Sequence, residues 1–316
     1  MARAIESTGV RAHLRRAWQR VPGKQPLFEL WRRAGAPPEH VWRHLHFAGT
    51  FAVTLPGGSE FQMQHFGQLV ENELFWAGFG NGWEATSLRL WARIAPHAAT
   101  ILDVGANSGV YALAAAALSP EARVFAFEPS RRIAERLRGN VARNRLAVEV
   151  VEAAVSNQTG EVILFEPRSE HHYSASLEPA MLGGASHLED RRVLATRLDE
   201  FAAARRLPRL DLIKIDTEMH EAAVIEGLGS RLAQDRPVLL VEILNRGLGR
   251  AVEDRLEKLD YHLFRIDERE AVVPVERLGE QPANHLLCPA ETASRLGIAD
   301  GVRHRDLAAA GNARAC

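Results

Sequence analysis

The chain has 316 residues, 46% of them hydrophobic, and a formal net charge of −1 at pH 7. It can bury one large core or two, and it carries no bulk field that would draw it to nucleic acid or an anionic membrane. Two cysteines, Cys288 and Cys316, argue against a disulfide framework and a cysteine-based zinc site. No apolar run approaches the ~20 residues that span a bilayer. The basic N-terminus lacks the apolar stretch of a secretory signal, so a cytoplasmic location is expected.

Residues 1–45 read as one or two helices broken at VPGKQP and GAPPEH, with Arg11, Arg15 and Arg16 on a wet face. His40, His44 and His46 lack a carboxylate partner and suit a cover over the core better than a metal site. Residues 51–64 alternate apolar and polar around P-G-G, the pattern of a β-hairpin. A helix, a glycine turn and a second helix ending at Pro96 follow. Residues 1–95 are thus expected to form a helix-and-hairpin extension before a domain over 96–290 and a tail over 291–316.

Thr100–Gly109, TILDVGANSG, is a buried strand running into a glycine turn and an alanine-rich helix. Gly105 permits the turn and Gly109 permits close packing of the next helix. Glu128 ends the next apolar run, roughly 20 residues on, where a carboxylate can take ribose hydroxyls. A dinucleotide turn needs a middle glycine so that the backbone can approach a pyrophosphate; here that position is Asn107. Asp103 would repel a phosphate but could pair with an ammonium group. A nucleoside that carries an amine and no phosphate, S-adenosylmethionine, fits both features. A branched side chain at 105 would then occupy the cofactor's place and strain a turn for which a positive φ is expected.

Further strands are expected at 123–127, 148–155, 210–216 and 237–243, with helices over 130–144 and 219–233. Apolar strands alternating with helices mean a parallel sheet covered on both faces. Residues 160–167 and 192–201 interrupt the alternation as an extra strand pair; the loop between them carries His171 and His172. A helix around 252–259 and two closing antiparallel strands, 261–266 and 284–289, complete the domain.

Asp103, Glu128, Asp216 and Glu242 all fall near strand carboxyl ends, the edge at which open α/β sheets bind ligands. Capping a helix or pairing with an arginine is the plainer role for some of them. In LIKIDTEMHE, Lys214, Asp216, Glu218, His220 and Glu221 crowd one strand end. His220 is a candidate general base that Asp216 or Glu221 could orient, with Glu218 beside it. Asp216 and Glu242 could instead share a divalent cation, the less favoured reading.

LDVGANSGVYAL, AFEPS, EAAVSNQTG, TRLDEF, DLIKIDTEMHE and PVLLVEI, in that order, resemble the FkbM family of class I S-adenosylmethionine-dependent methyltransferases over roughly residues 50–290. The resemblance implies a Rossmann-like α/β fold, a mostly parallel seven-stranded sheet with an antiparallel last strand. It also implies O-methylation of a hydroxyl on a sugar or natural product. By position, Asp103, Gly105, Asn107 and Gly109 belong to the loop on the methionine side, Glu128 to the ribose contact and Ala154 to the adenine wall, with Ser108 and Pro129 also counted as cofactor-binding. Asp216 is counted with the cofactor site, and Glu84 matches an acid that precedes the first strand in this family. The family usually reads K-I-D-V-E-G-H-E; here Thr217 and Met219 replace valine and glycine, which suggests a shifted acceptor. A nicotinamide-dependent oxidoreductase and a cofactor-binding protein without turnover are the alternatives. The acceptor is expected to be a small hydroxylated molecule, with neither nucleic acid nor membrane as a partner.

Overall fold

The computed structural model describes residues 23–167, 176–177 and 188–307. The helix expected near Arg11, the loop histidines His171 and His172, and Cys316 lie outside them. In chain order the strands that build the main sheet are β3 (Thr100–Val104), β4 (Arg123–Phe127), β5 (Val148–Val151), β9 (Leu212–Ile215), β10 (Val238–Ile243), β11 (Tyr261–Ile266), β12 (Ala271–Pro274), β13 (Ala283–Pro289) and β14 (Val302–Arg303). Two short pairings precede and interrupt them: β1 (Gly49–Thr54) with β2 (Glu60–His65), and β6 (Ala154–Val155), β7 (Gly160–Pro167) and β8 (Leu188–Thr196) in a sheet of their own.

The main sheet runs β14-β12-β11-β13-β10-β9-β3-β4-β5. Its central strands are parallel, and β13 lies antiparallel between β10 and β11. The seven expected strands are present as a block, and the sheet has nine because β12 and β14 add to the β11 edge. The sheet therefore passes residue 290, where the tail was expected to begin. Chain order reverses between β3 and β9, so the switch-point crevice opens there.

Apolar alternation along the strands divides the core in two. Ile101, Leu212 and Leu240 face one side; Leu102, Ile213 and Leu239 face the other. The first side is covered by α4 (Ala85–Ile94), α5 (Val110–Leu118) and α6 (Arg131–Asn144), the second by α7 (Leu198–Ala204), α8 (Glu221–Glu226) and α10 (Arg246–Leu256). The N-terminal segment, with α1 (Lys24–Ala34), α2 (Glu39–Trp42) and α3 (Leu69–Trp76), shares the first core through Phe28, Phe47, Phe51 and Phe75. His65 is packed 4.5 Å from the Phe47 ring centroid, and burial pushes its pKa down to about 3. It is a neutral core residue.

Three expected elements divide in the structure. The strand over 148–155 breaks after Val151, and Ala154–Val155 pairs with β8 instead. The run 192–201 leaves the extended state after Thr196 to begin α7. The helix over 219–233 becomes α8 and α9 (Ser230–Asp235), because Gly227 and Gly229 stand between them. A Cβ on Gly227 would lie 2.2 Å from the Ser156 carbonyl oxygen, so only glycine permits that approach.

Candidate active site

The crevice is built from the glycine turn. The Gly105 and Ala106 amides both donate to the Phe127 carbonyl, at 3.1 and 2.9 Å, tying the turn to β4. Gly105 has φ 79°, and a Cβ there would lie 1.8 Å from the Asp216 backbone oxygen. A side chain at 105 thus meets the Asp216 backbone just past β9, and the positive φ expected of this turn is present. Gly105→Ala should cost about 2–4 kcal/mol of stability from overpacking and left-handed strain. Chemical denaturation that shows wild-type stability would contradict this. Asn107, at φ 50°, takes a left-handed angle that asparagine tolerates.

Asp103 is 1% exposed. Its Oδ2 accepts the Ala112 amide at 2.9 Å, placing the carboxylate at the positive start of α5. Its Oδ1 is buried without a hydrogen-bond partner. Glu128 accepts the Asn107 amide on Oε2 at 3.1 Å and the Ser130 amide on Oε1 at 2.9 Å. It holds the turn as well as facing the cleft, and two lone-pair positions on its carboxylate suit hydroxyl donors.

Directly opposite Asp103 on β9 stands Lys214, which is 4% exposed. Its ammonium lies 2.9 Å from Asp216 Oδ2 and 4.8 Å from the Tyr111 ring centroid. Tyr111 donates its hydroxyl to Glu84 Oε2. Burial pulls the Lys214 pKa down, but Asp216, Glu84 and Asp103 outweigh it and the net shift is upward. Burial pushes Asp103 up to about 6 and Glu84 and Glu128 up to about 7. Burial, then Asp216, raises Glu242 as well. For Asp103, Glu84 and Glu128 the folded chain holds more protons than the unfolded chain between about pH 4 and 7. Their contribution to stability is therefore fully present at the acid end of that window and is lost as pH rises through it. Measured without cofactor, stability should carry that falling component, and neutralising the three side chains by Asn and Gln should flatten it.

Asp103, Gly105, Asn107, Ser108, Glu128, Pro129, Ala154 and Asp216 line one cleft, together with Glu218 and His220. Glu84 stands behind it against Tyr111, while Gly109 serves packing: a Cβ there would lie 2.4 Å from Leu137 Cδ1. His220 Nε2 lies 3.0 Å from Ser156 Oγ. Glu221 does not take the orienting role expected for it. Its Oε1 accepts the Thr217 amide at 2.8 Å, the Thr217 hydroxyl at 3.1 Å and the Met219 amide at 3.3 Å. Those bonds hold a turn in which Glu218 and Met219 have φ 54° and 81°. Met219, where the family pattern has glycine, is left-handed in this chain, with Asn245 Nδ2 3.2 Å from its Sδ.

The sequence reading did not foresee Ser156, Tyr111 or the pairing of Lys214 with both sides of the crevice. A lysine inside an apolar parallel strand was the available signal, since a buried ammonium needs anions around it. Asp216 Oδ2 is engaged by that ammonium, and among the described residues no group of three or more His, Cys, Asp or Glu could hold a metal ion. Among the same residues, no helix is long and apolar enough to cross a membrane.

The profile of the Methyltransferase FkbM domain matches residues 103–265. Curated relatives include the AMB antimetabolite synthetase AmbE of Pseudomonas aeruginosa, 32% identical over 46% of this chain and 8% of that one. The 31-O-demethyl-FK506 methyltransferase FkbM of Streptomyces tacrolimicus is 31% identical over 40% of this chain and 58% of its own. The hexuronic acid methyltransferase AglP of Haloferax volcanii is 28% identical over 51% and 62%. The chain therefore spans less than two thirds of the length of each of these relatives.

Proposed function

Since the chain belongs to the FkbM methyltransferase family, we propose that it transfers a methyl group from S-adenosylmethionine to a hydroxyl oxygen of a sugar or natural product. The observation that carries this is the buried Asp103 oxygen without a donor, on the wall of a cleft that Glu128, Asp216 and Glu218 also line. An ammonium group answers that oxygen; a phosphate would be repelled by it. Asn107 in place of a middle glycine argues against a pyrophosphate and so against the nicotinamide reading. The relatives named for 31-O-demethyl-FK506 and for hexuronic acid support a small hydroxylated acceptor. A cytoplasmic site of action is part of this proposal.

Asp103 would take the amino end of the cofactor, Glu128 the ribose and Ala154 the adenine face. The cofactor supplies the activated methyl group. The chain's own task is to place the acceptor oxygen in line, to keep water out and to accept a proton. His220, its ring held by the 3.0 Å contact between Nε2 and Ser156 Oγ, is the candidate proton acceptor. Asp216 and Glu218 then border the acceptor, with Lys214 fixing Asp216.

Glu128→Gln should lower affinity for S-adenosylmethionine about tenfold, because charge-assisted bonds to the ribose weaken and one backbone amide loses its acceptor. Unchanged affinity by calorimetry would remove Glu128 from the ribose. Methyl transfer itself is tested by release of S-adenosylhomocysteine across a panel of glycosides and hydroxylated metabolites. Turnover with a hydroxylated acceptor is expected; turnover confined to amines or thiols would contradict O-methylation.

A further inference from the structure

The cleft carries an indole with no task so far. Trp83, Tyr111 and Phe127 all line it. Phe127 is fully buried and Tyr111 is 3% exposed. The Lys214 ammonium, 4.8 Å from the Tyr111 centroid, already sits over that ring. Trp83 is half-buried, so among the described residues its indole is the aromatic surface a ligand can reach.

The chain fixes where that indole stands. A Cβ on Gly82 would lie 3.1 Å from Glu73 Oε2 and from Ala77 Cβ, so the loop before Trp83 runs tight over the end of α3. Glu84, the next residue, is held at φ 44° in the left-handed region. Such an angle costs energy for a residue with a Cβ, and it persists where the surroundings hold it. Tyr111 meets the Trp83 ring edge-on, with centroids 6.1 Å apart. Tyr111 is itself pinned by its hydroxyl bond to Glu84 and by the Trp91 ring at 5.2 Å. Trp83, Tyr111, Lys214 and Asp216 thus follow one another in contact, and Asp216 lines the cleft with Glu218 and His220. The indole stands on the Asp216 side of the crevice, whereas Ala154 follows β5, beyond β3 and β4.

We propose that Trp83 is the platform on which the methyl acceptor stacks, and that this acceptor is a pyranose ring. The proposal rests on the methyl-transfer reading above and narrows it. One face of a pyranose is a patch of C–H groups with partial positive charge, and the face of an indole is negative. The edge of the ring is a row of hydroxyl donors, and Asp216 and Glu218 are acceptors. A phenol would use the platform but offer few hydroxyls to the acids. An acyclic polyol would satisfy the acids and leave the indole bare. Trp83 is therefore a specificity residue for the acceptor, setting the plane in which its hydroxyl meets the methyl group.

Saturation-transfer NMR and calorimetry on the full chain loaded with S-adenosylhomocysteine test this. The probes are the methyl glycosides of glucose, galactose, mannose and fucose, beside catechol and sorbitol. At least one methyl glycoside should bind saturably, with transfer strongest to the protons of one ring face. Trp83→Ala should weaken that glycoside about tenfold and Trp83→Phe no more than about threefold. Affinity for S-adenosylhomocysteine should stay within about twofold of wild type in both variants, which also shows that they fold. Unchanged glycoside affinity in Trp83→Ala overturns the proposal. A matching loss of S-adenosylhomocysteine affinity in both variants overturns it too, since the indole would then serve the cofactor. Binding confined to catechol or sorbitol, or to none of the probes in a chain that binds S-adenosylhomocysteine, overturns it as well. A wild-type chain that binds no S-adenosylhomocysteine overturns the methyl-transfer reading on which the proposal stands.

Discussion

Replacing Lys214 with methionine is expected to cost about 3–5 kcal/mol at pH 8, the scale for breaking a buried charge pair from one side. Lys214 is the cation between Asp103 across the crevice, Asp216 at 2.9 Å and Glu84 behind Tyr111. Methionine fills similar space but leaves those carboxyl groups facing one another. Lys214 lowers the pKa of both Asp103 and Glu84, so its removal raises them further. Protonation then relieves the repulsion as pH falls. The loss should shrink markedly between pH 8 and pH 5.5 when both chains are compared by chemical denaturation. A loss equal at the two pH values would mean that Lys214 contributes packing and not charge.

His220→Ala should lower kcat by about 10²–10⁴ with little change in cofactor affinity. In-line placement supplies much of methyl transfer, but a hydroxyl is a poor nucleophile until its proton begins to leave. His220 lines the cleft beside Asp216 and Glu218, and Ser156 Oγ fixes its ring at 3.0 Å. Wild-type kcat should fall as pH drops through the imidazole pKa, and that limb should be missing in the variant. Ser156→Ala should keep the limb and lower kcat less, since it loosens the ring without removing the base. A His220→Ala enzyme with wild-type kcat would leave placement alone to explain the rate.

Legibility in the sequence followed the range of the interactions. Asp103, Gly105 and Glu128 were readable because strand, turn and acid are close in sequence and each has a local signature. β5 and β6 were fused into one strand because a break at Glu152–Ala153 carries no glycine or proline. β12 and β14 were missed because four and two residues are too short for a periodic pattern. The role of Glu221 was misjudged for another reason: its partners are amides at Thr217 and Met219, made available by two left-handed residues that only the folded turn reveals. The ring of acids around Lys214 depends on pairing between β3 and β9, which are far apart in the chain. The glycine expected at 219 was readable as a departure, and its meaning became clear only with φ 81° at Met219.

S-adenosylmethionine, a phosphate-free nucleoside with a cationic amino-acid end, is the ligand expected in this crevice. Calorimetric titration of the full chain with S-adenosylmethionine, and separately with NAD, tests this most directly. Saturable one-to-one binding of S-adenosylmethionine, weakened by Asp103→Asn, is expected, with no binding of NAD at matched concentration. Binding of NAD with S-adenosylmethionine left unbound would contradict it.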